Sequence, residues 1–331
     1  MESVCGLPTC GHTKTECLYW MIIQRGNRFL RFEGEESQPQ SRCYDMWRFA
    51  IMLPGLRAPL KCGVVLASAV EIMKLAETDF VFRDPHQDDG GAGIVCLKER
   101  CSETADAFNA AMDRLRRNLA RDTLWSGSLH RFGDQERFAL HPTRGDLPGY
   151  GVPRDLAGIL GITTHQVYAN LWVNDRGEIK TWVMETDPSG DRHLQRFSGY
   201  ELATDGSPLR ALQRVIREQG HLQDVEGAVN PAGHIAFTTF RDDPTGSVDH
   251  GRSEFGKAFV FDINYLYSGF KFYEGTKYVL MSASEARRAL FDLRFDPTSS
   301  LVMVDFLMRH DLLGDVPRDA IPRWKHRLRF N

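Results

Sequence analysis

A Gly- and Pro-rich stretch, ALHPTRGDLPGYGVPRD, interrupts the chain near its middle. Glycine admits backbone angles that other residues avoid, and proline removes a backbone donor, so no long helix or central strand runs through such a segment. It divides 331 residues into two runs that are each the size of an ordinary domain. The reading is a loose tail over 1–16, an N-terminal accessory domain over 17–145 and a second domain over 146–331.

Hydrophobic periodicity on either side predicts mixed α+β structure. In the first half, LYWMII, MWRFAIML, FVF (80–82) and GIVCLKE (93–99) read as strands. Leu66, Val70, Met73 and Leu75 mark a short helix, and Phe108, Met112, Leu115 and Leu119 recur at helical spacing over 102–121. In the second half, QVYANLWV and IKTWVME flank Asn174-Asp175-Arg176-Gly177, a hairpin signal. Ser207 before Pro208 predicts a capped helix start, with Leu209, Leu212, Val215 and Ile216 on its inward face. HIAFTTF and KAFVFDI are strands around a polar loop that holds Asp249, His250 and Arg252. Ser282 and Glu285 fit a capping box before a second helix. A last helix spans about 299–309.

Charge and hydropathy exclude several classes. Lys plus Arg is 41 against 44 Asp plus Glu, a formal net charge of −3. That leaves no excess positive field for a polyanion, so nucleic acid is not an expected partner. No stretch approaches the roughly 20 apolar residues of a membrane span. MESVCGLPTCGHTKTEC lacks a basic region followed by an apolar core, so a secretory signal is not expected and a cytoplasmic setting is. All seven cysteines lie in the first 101 residues. Cys5, Cys10, His12 and Cys17 have zinc-ligand chemistry, but their spacing lacks a second paired half, so reduced thiols are the expectation.

Three segments together carry a resemblance: GILGITTHQVYANLWVNDRGEIKTWV (158–183), SPLRALQRVIREQGHL (207–222) and YVLMSASEARRALFDLRFDPTSSLVMVDFLMRHDLL (278–313). With GVVLASAVEIMKL and GYGVPRDLAGILGI in the first half, the chain resembles the Nudix hydrolases related to thiamine pyrophosphokinase, which carry an extra N-terminal domain. The resemblance covers roughly residues 45–315. It implies a Nudix fold, a mixed sheet sandwiched between helices, behind a smaller α+β accessory domain. In active members it implies magnesium-dependent cleavage of a diphosphate linkage.

The family signature, G-x5-E-x7-R-E-U-x-E-E-x-G-U, places several glutamates on one helix because a hard cation needs several carboxylate oxygens. Two registers are open here. One reads Arg214-Val215-Ile216-Arg217-Glu218-Gln219 and puts Val215 and Gln219 at glutamate positions. The other starts at Gly199, puts Asp205 at the first acidic position, and has Arg214 and Arg217 where glutamates stand. Both keep Glu218 alone of the helix's three carboxylates. Magnesium is therefore expected only if substitute ligands, Glu218 with Glu274 and Asp205, rebuild a site; otherwise no metal or other cofactor is. Tyr168 stands where the family usually has His, and Glu185-Thr186 replaces a basic pair.

These departures suggest an enzyme redirected to metal-independent acid–base chemistry on a small organic molecule: isomerisation, cyclisation or elimination, as in a biosynthetic tailoring step. Glu218, Glu274, His221, Tyr168 and His165 are the candidate acids and bases. Arg214, Arg217, Trp182, His234 and Asp205 are the candidate substrate contacts. A diphosphohydrolase with substitute ligands and a non-catalytic small-molecule-binding module are the rival readings. Each of these residues also has a plain structural use: the charged ones as solvated helix surface, the histidines and aromatics as strand packing.

Overall fold

The computed structural model describes residues 15, 18, 19, 21–23, 46–76, 79–84, 93–121, 129, 136–141, 147–186, 193–220, 229–241, 252–264 and 277–329. The chain is mixed α+β. Its first sheet has the order β2-β1-β4-β3, formed by β1 (Met46–Ile51), β2 (Leu60–Leu66), β3 (Phe80–Arg83) and β4 (Ile94–Leu97). Helices α1 (Ala67–Ala76) and α2 (Ala105–Leu119) pack with it into one core. Helix α2 starts where predicted to within three residues, because the Thr104 hydroxyl accepts from Ala107 N at 3.1 Å and caps the first turn. Phe108, Ala111, Met112, Leu115 and Leu119 are its buried stripe.

The Gly- and Pro-rich stretch joins two short strands, β5 (Arg137–Ala139) and β6 (Gly151–Pro153), which pair antiparallel, and leads into the single-turn helix α3 (Arg154–Ala157). The first core continues through Val152, Leu156, Leu160 and Ile162. Here two backbones touch. Val64 N donates to Gly161 O at 3.1 Å. A Cβ on Gly161, whose φ is +52°, would lie 1.8 Å from Val64 O, and one on Gly63 would lie 2.3 Å from Leu160 O. Glycine at both positions is a steric requirement of this contact.

The second sheet has seven strands. Its path is β11-β12-β7-β8-β13, with β10 (Phe197–Tyr200) on β7 and β9 (His193–Gln195) on β8. Strands β7 (Thr163–Asp175) and β8 (Glu178–Thr186) form the predicted hairpin. Arg176 and Gly177 both take positive φ, as a two-residue hairpin turn requires. Strands β11 (Val229–Arg241) and β12 (Arg252–Asn264) are antiparallel, β12 runs parallel to β7, and β13 (Lys277–Ser282) closes the edge beside β8.

Period-two alternation along β7 separates the two faces of this sheet. Val167, Ala169 and Leu171 pack with Ala211, Leu212, Val215 and Ile216 of helix α4 (Pro208–Gly220). Tyr168 belongs to the opposite core, under α5 (Ala283–Phe291), α6 (Pro297–Arg309) and α7 (Ala320–Arg329). The result is a mixed sheet between helices, the layering that the resemblance implies. The Ser282–Glu285 capping box is present: Glu285 N donates to Ser282 Oγ at 3.3 Å, and Ser282 N to the Glu285 carboxylate at 2.8 Å. Ser282→Ala is expected to cost about 1 kcal/mol, read as a lowered urea midpoint with an unchanged slope.

Two expectations are corrected. Leu209, expected on the inward face of α4, is 44% exposed in its first turn, and Ala211 takes the buried place with Leu212, Val215 and Ile216. LYWMII reads as a strand, but Leu18, Tyr19 and Met21 to Ile23 are helical. Tyr19, Ile22 and Ile23 are spaced at i, i+3 and i+4, and all three are buried in the α5–α7 core. The Tyr19 hydroxyl donates to Leu313 O at 3.1 Å, and its ring meets Phe291 and Trp324. Among the described residues, no helix is long and apolar enough to cross a membrane.

Candidate functional site

Helix α4 and the turn before it build the cleft. Four apolar side chains seat the helix: Ala211, Leu212, Val215 and Ile216 are at most 1% exposed. Each of the three larger ones contributes about 1.5–3 kcal/mol by burial. The approach is close enough that a Cβ on Gly199 would lie 2.4 Å from Val215 Cγ2. The polar face of the helix then lines a cleft of about 520 Å³ with Thr204, Asp205, Arg210, Gln213, Arg214, Arg217 and Glu218.

The two readings of the signature differ in what they would place in the cleft. Val215 is buried against the sheet and cannot be a position that faces a ligand. The register beginning at Gly199 puts Asp205, Arg214, Arg217 and Glu218 at its acidic positions, and all four line the cleft. Gly199 itself is accounted for by its contact with Val215.

Arg214 sits at the centre. Its Nε and one terminal nitrogen each donate at 2.9 Å to the two oxygens of Asp205. The same terminal nitrogen donates to Tyr200 O at 2.7 Å, and the other reaches Glu218 at 3.2 Å. Asp205 is buried, and one of its oxygens also accepts from Leu202 N at 2.8 Å. This is a bidentate, charge-assisted pair with good geometry. The hydrogen bond to Asp205, with the charges of Asp205 and Glu218, raises the Arg214 pKa above its ordinary value and offsets the cost of partial burial.

The donor set was tested against magnesium, which prefers about six oxygens in octahedral array. It does not fit. Both Asp205 oxygens and one Glu218 oxygen already accept from Arg214, and a guanidinium stands between the two carboxylates. Arg210 and Arg217 bring the cleft to three guanidinia against two carboxylates, a net +1. Such a surface repels a dication and attracts an anion.

The remaining predicted residues fall elsewhere. Glu274 and His221 lie outside the described residues, as do Asp249, His250 and four of the seven cysteines. Cys62, Cys96 and Cys101 are buried free thiols, and burial pushes Cys62 up to about 12, so it is a poor nucleophile at neutral pH. Tyr168 is 4% exposed on the sheet face away from α4, with its hydroxyl donating to Gln166 Oε1 at 2.8 Å. Trp182 packs against the α4 core. His234 lies on β11 with its ring 6.2 Å from Phe259. Glu185 is paired with Lys277 at 2.5 Å.

His165 is not among the cleft-lining side chains but belongs to a neighbouring group. Its Nδ1 is 3.0 Å from Glu201 Oε2, and its ring stacks on His141 at 3.4 Å. Sequence reasoning missed His141, Glu201, Thr204, Arg210 and Gln213. The last two were legible, since 210, 213, 214, 217 and 218 form one polar helical stripe. No local pattern links His141 with Glu201.

No protein-family model matches the chain. An uncharacterized protein of Saccharomyces cerevisiae, YJR142W, is 25% identical over 267 residues, covering 76% of this chain and 75% of the yeast protein. Similar solved structures include the Caenorhabditis elegans Ap4A hydrolase, at 12% identity and a TM-score of 0.31, covering 44% of this chain and 96% of that one. The Nudix domain of Shewanella oneidensis NrtR is 9% identical with a TM-score of 0.33, covering 45% and 88%. The Escherichia coli dihydroneopterin triphosphate pyrophosphohydrolase is 13% identical with a TM-score of 0.32, covering 44% and 95%.

Proposed function

We propose that this chain is a Nudix-like small-molecule enzyme in which guanidinium groups take over the charge neutralisation that a divalent metal performs in Nudix hydrolases. The observation that carries the reading is Arg214, clamped between Asp205 and Glu218 with Tyr200 O beneath it. With those carboxylates engaged, Arg217 and Arg210 are the cations left for an anionic substrate group. Glu218 is exposed at the cleft with one carboxylate oxygen outside its contact with Arg214, so it is placed to take a proton from a bound substrate. The two arginines would stabilise the negative charge that develops on a substrate oxygen. This chemistry suits an isomerisation, cyclisation or elimination that needs no metal.

Inorganic diphosphate tests the binding half. It is expected to bind the full chain equally well with and without a chelator, and Arg217→Gln is expected to weaken binding about tenfold, the loss of one charge-assisted contact. Magnesium-dependent release of phosphate from nucleoside or thiamine diphosphates, abolished by Glu218→Gln, would overturn the proposal in favour of a hydrolase.

A further inference from the structure

We propose that His141, His165 and Glu201 form a binding site for one divalent transition metal of the zinc type, beside the anion cleft and separate from it. Three distant segments converge to make it. Strand β5 runs beside the segment that follows β10: Phe138 bridges Leu202, and Ala203 N donates to Arg137 O at 2.9 Å. That pairing carries His141, two residues past β5, up to Glu201. From the other side, Glu201 N donates to His165 O at 2.9 Å, which fixes the glutamate against β7.

The side chains meet on one carboxylate oxygen. Glu201 Oε2 is 3.0 Å from His165 Nδ1 and 3.8 Å from His141 Nε2, and all three ligand atoms lie within 4.8 Å of one another. Ligands on a tetrahedral zinc, each about 2.0–2.2 Å from the ion, are about 3.3–3.5 Å apart. The observed group is therefore near its bound dimensions. The two rings are stacked 16° from parallel, so binding requires them to splay until both lone pairs point at one ion. Rotation about the terminal χ2 of histidine is soft and allows this.

Charge points the same way. The Glu201 side chain is 6% exposed, and among the described residues its ionic contacts are the two imidazoles rather than any lysine or arginine. Among the described residues this buried carboxylate meets two imidazoles and no other cation, and a dication between them would be ligated by both rings and the carboxylate. Among the described residues, Lys257 stands across from His165 on β12 with its ammonium 5.5 Å over the Phe259 ring, His234 lies beside that same ring, and Arg154 lies over the ring of Tyr200, the neighbour of Glu201. Two imidazoles and one carboxylate favour zinc, cobalt or ferrous iron over magnesium or calcium, and three protein ligands leave a coordination position open. Glu201 directly precedes the turn from Leu202 to Asp205, which carries Asp205 into the cleft.

The test uses the full chain with Cys5→Ser, Cys10→Ser and Cys17→Ser, which removes the N-terminal thiolates as competitors. After chelation and desalting, zinc and cobalt are titrated by calorimetry, and the cobalt complex is followed by its visible absorption. One equivalent is expected to bind without thiolate charge-transfer bands. His165→Asn and His141→Asn are each expected to weaken it at least about 100-fold, since even an outer-shell change costs up to that much. Arg217→Gln is expected to leave zinc affinity unchanged, which separates this site from the anion cleft. Should a histidine variant fail to fold, zinc protection of His141 and His165 from diethylpyrocarbonate, mapped by mass spectrometry, gives the same answer. No binding once the thiolates are removed overturns the proposal; so does binding indifferent to both histidines, or zinc that leaves both rings open to the reagent.

Discussion

Arg214→Glu is expected to turn the cleft into a magnesium site. The substitution places a carboxylate one helical turn from Glu218 and opposite Asp205, where the guanidinium now sits. Without metal the variant is destabilised by about 3 kcal/mol, because the buried Asp205 loses its partner and gains a like charge. With magnesium at 100 times its dissociation constant, about 2.7 kcal/mol returns. The variant's melting temperature is thus expected to climb with magnesium concentration while the wild-type curve stays flat. A wild-type protein stabilised by magnesium to the same degree would show that Arg214 does not take the place of the metal. A variant indifferent to magnesium would show that three carboxylates at these positions are not enough.

That experiment also marks where sequence reasoning succeeded and where it stopped. The α4 helix was legible because Ser207-Pro208 starts it and Leu212, Val215 and Ile216 recur at its period. Arginines at positions where the resembled signature has acids were equally visible. Which reading of the signature faces the cleft was not, because both keep Glu218 and differ only through the burial of Val215. The strand reading of LYWMII failed because six apolar residues in a row fit a strand and a fully buried helical turn equally well. His165 could be singled out as a histidine on a strand, but its partners His141 and Glu201 lie 24 and 36 residues away. Their meeting depends on the pairing of β5 with the segment after β10, and no local periodicity encodes that.

Asp262→Asn is expected to be the most destabilising conservative change in the second sheet, at about 3–5 kcal/mol. Asp262 lies on β12 opposite Asn170, whose amide donates to it at 2.8 Å. Arg309 at the end of α6 donates to both of its oxygens and also pairs with Asp305 at 2.7 Å. Behind them Arg196 is wholly buried. Its guanidinium donates to Thr181 and, at 2.8 Å, to Met303 Sδ, and lies over the Phe306 ring; among the described residues its Nε has no hydrogen-bond acceptor. Burial lowers the Arg196 pKa to about 9, with Asp262 opposing the fall and Arg309 adding to it. Asp262 thus compensates two buried cations.

Burial pushes the Asp262 pKa up, but the His310 ring 3.6 Å away, hydrogen bonds from Arg309 and Asn170, and the Arg309 charge outweigh it and hold the carboxyl well below the usual range. A folded-state pKa below the unfolded one gives stability that is present above about pH 4 and lost as the pH falls through the folded value. The Asn variant lacks that contribution at every pH, so its stability falls less steeply with acid than the wild type's. Adding Arg196→Met to Asp262→Asn is expected to recover part of the loss, because the thioether fills similar space beside Met303 and Phe306 and needs no counter-charge. In urea unfolding the double variant should be more stable than the sum of the single effects by about 1–3 kcal/mol. Additive losses would mean that Asp262 acts on Arg309 alone and that Arg196 is compensated elsewhere.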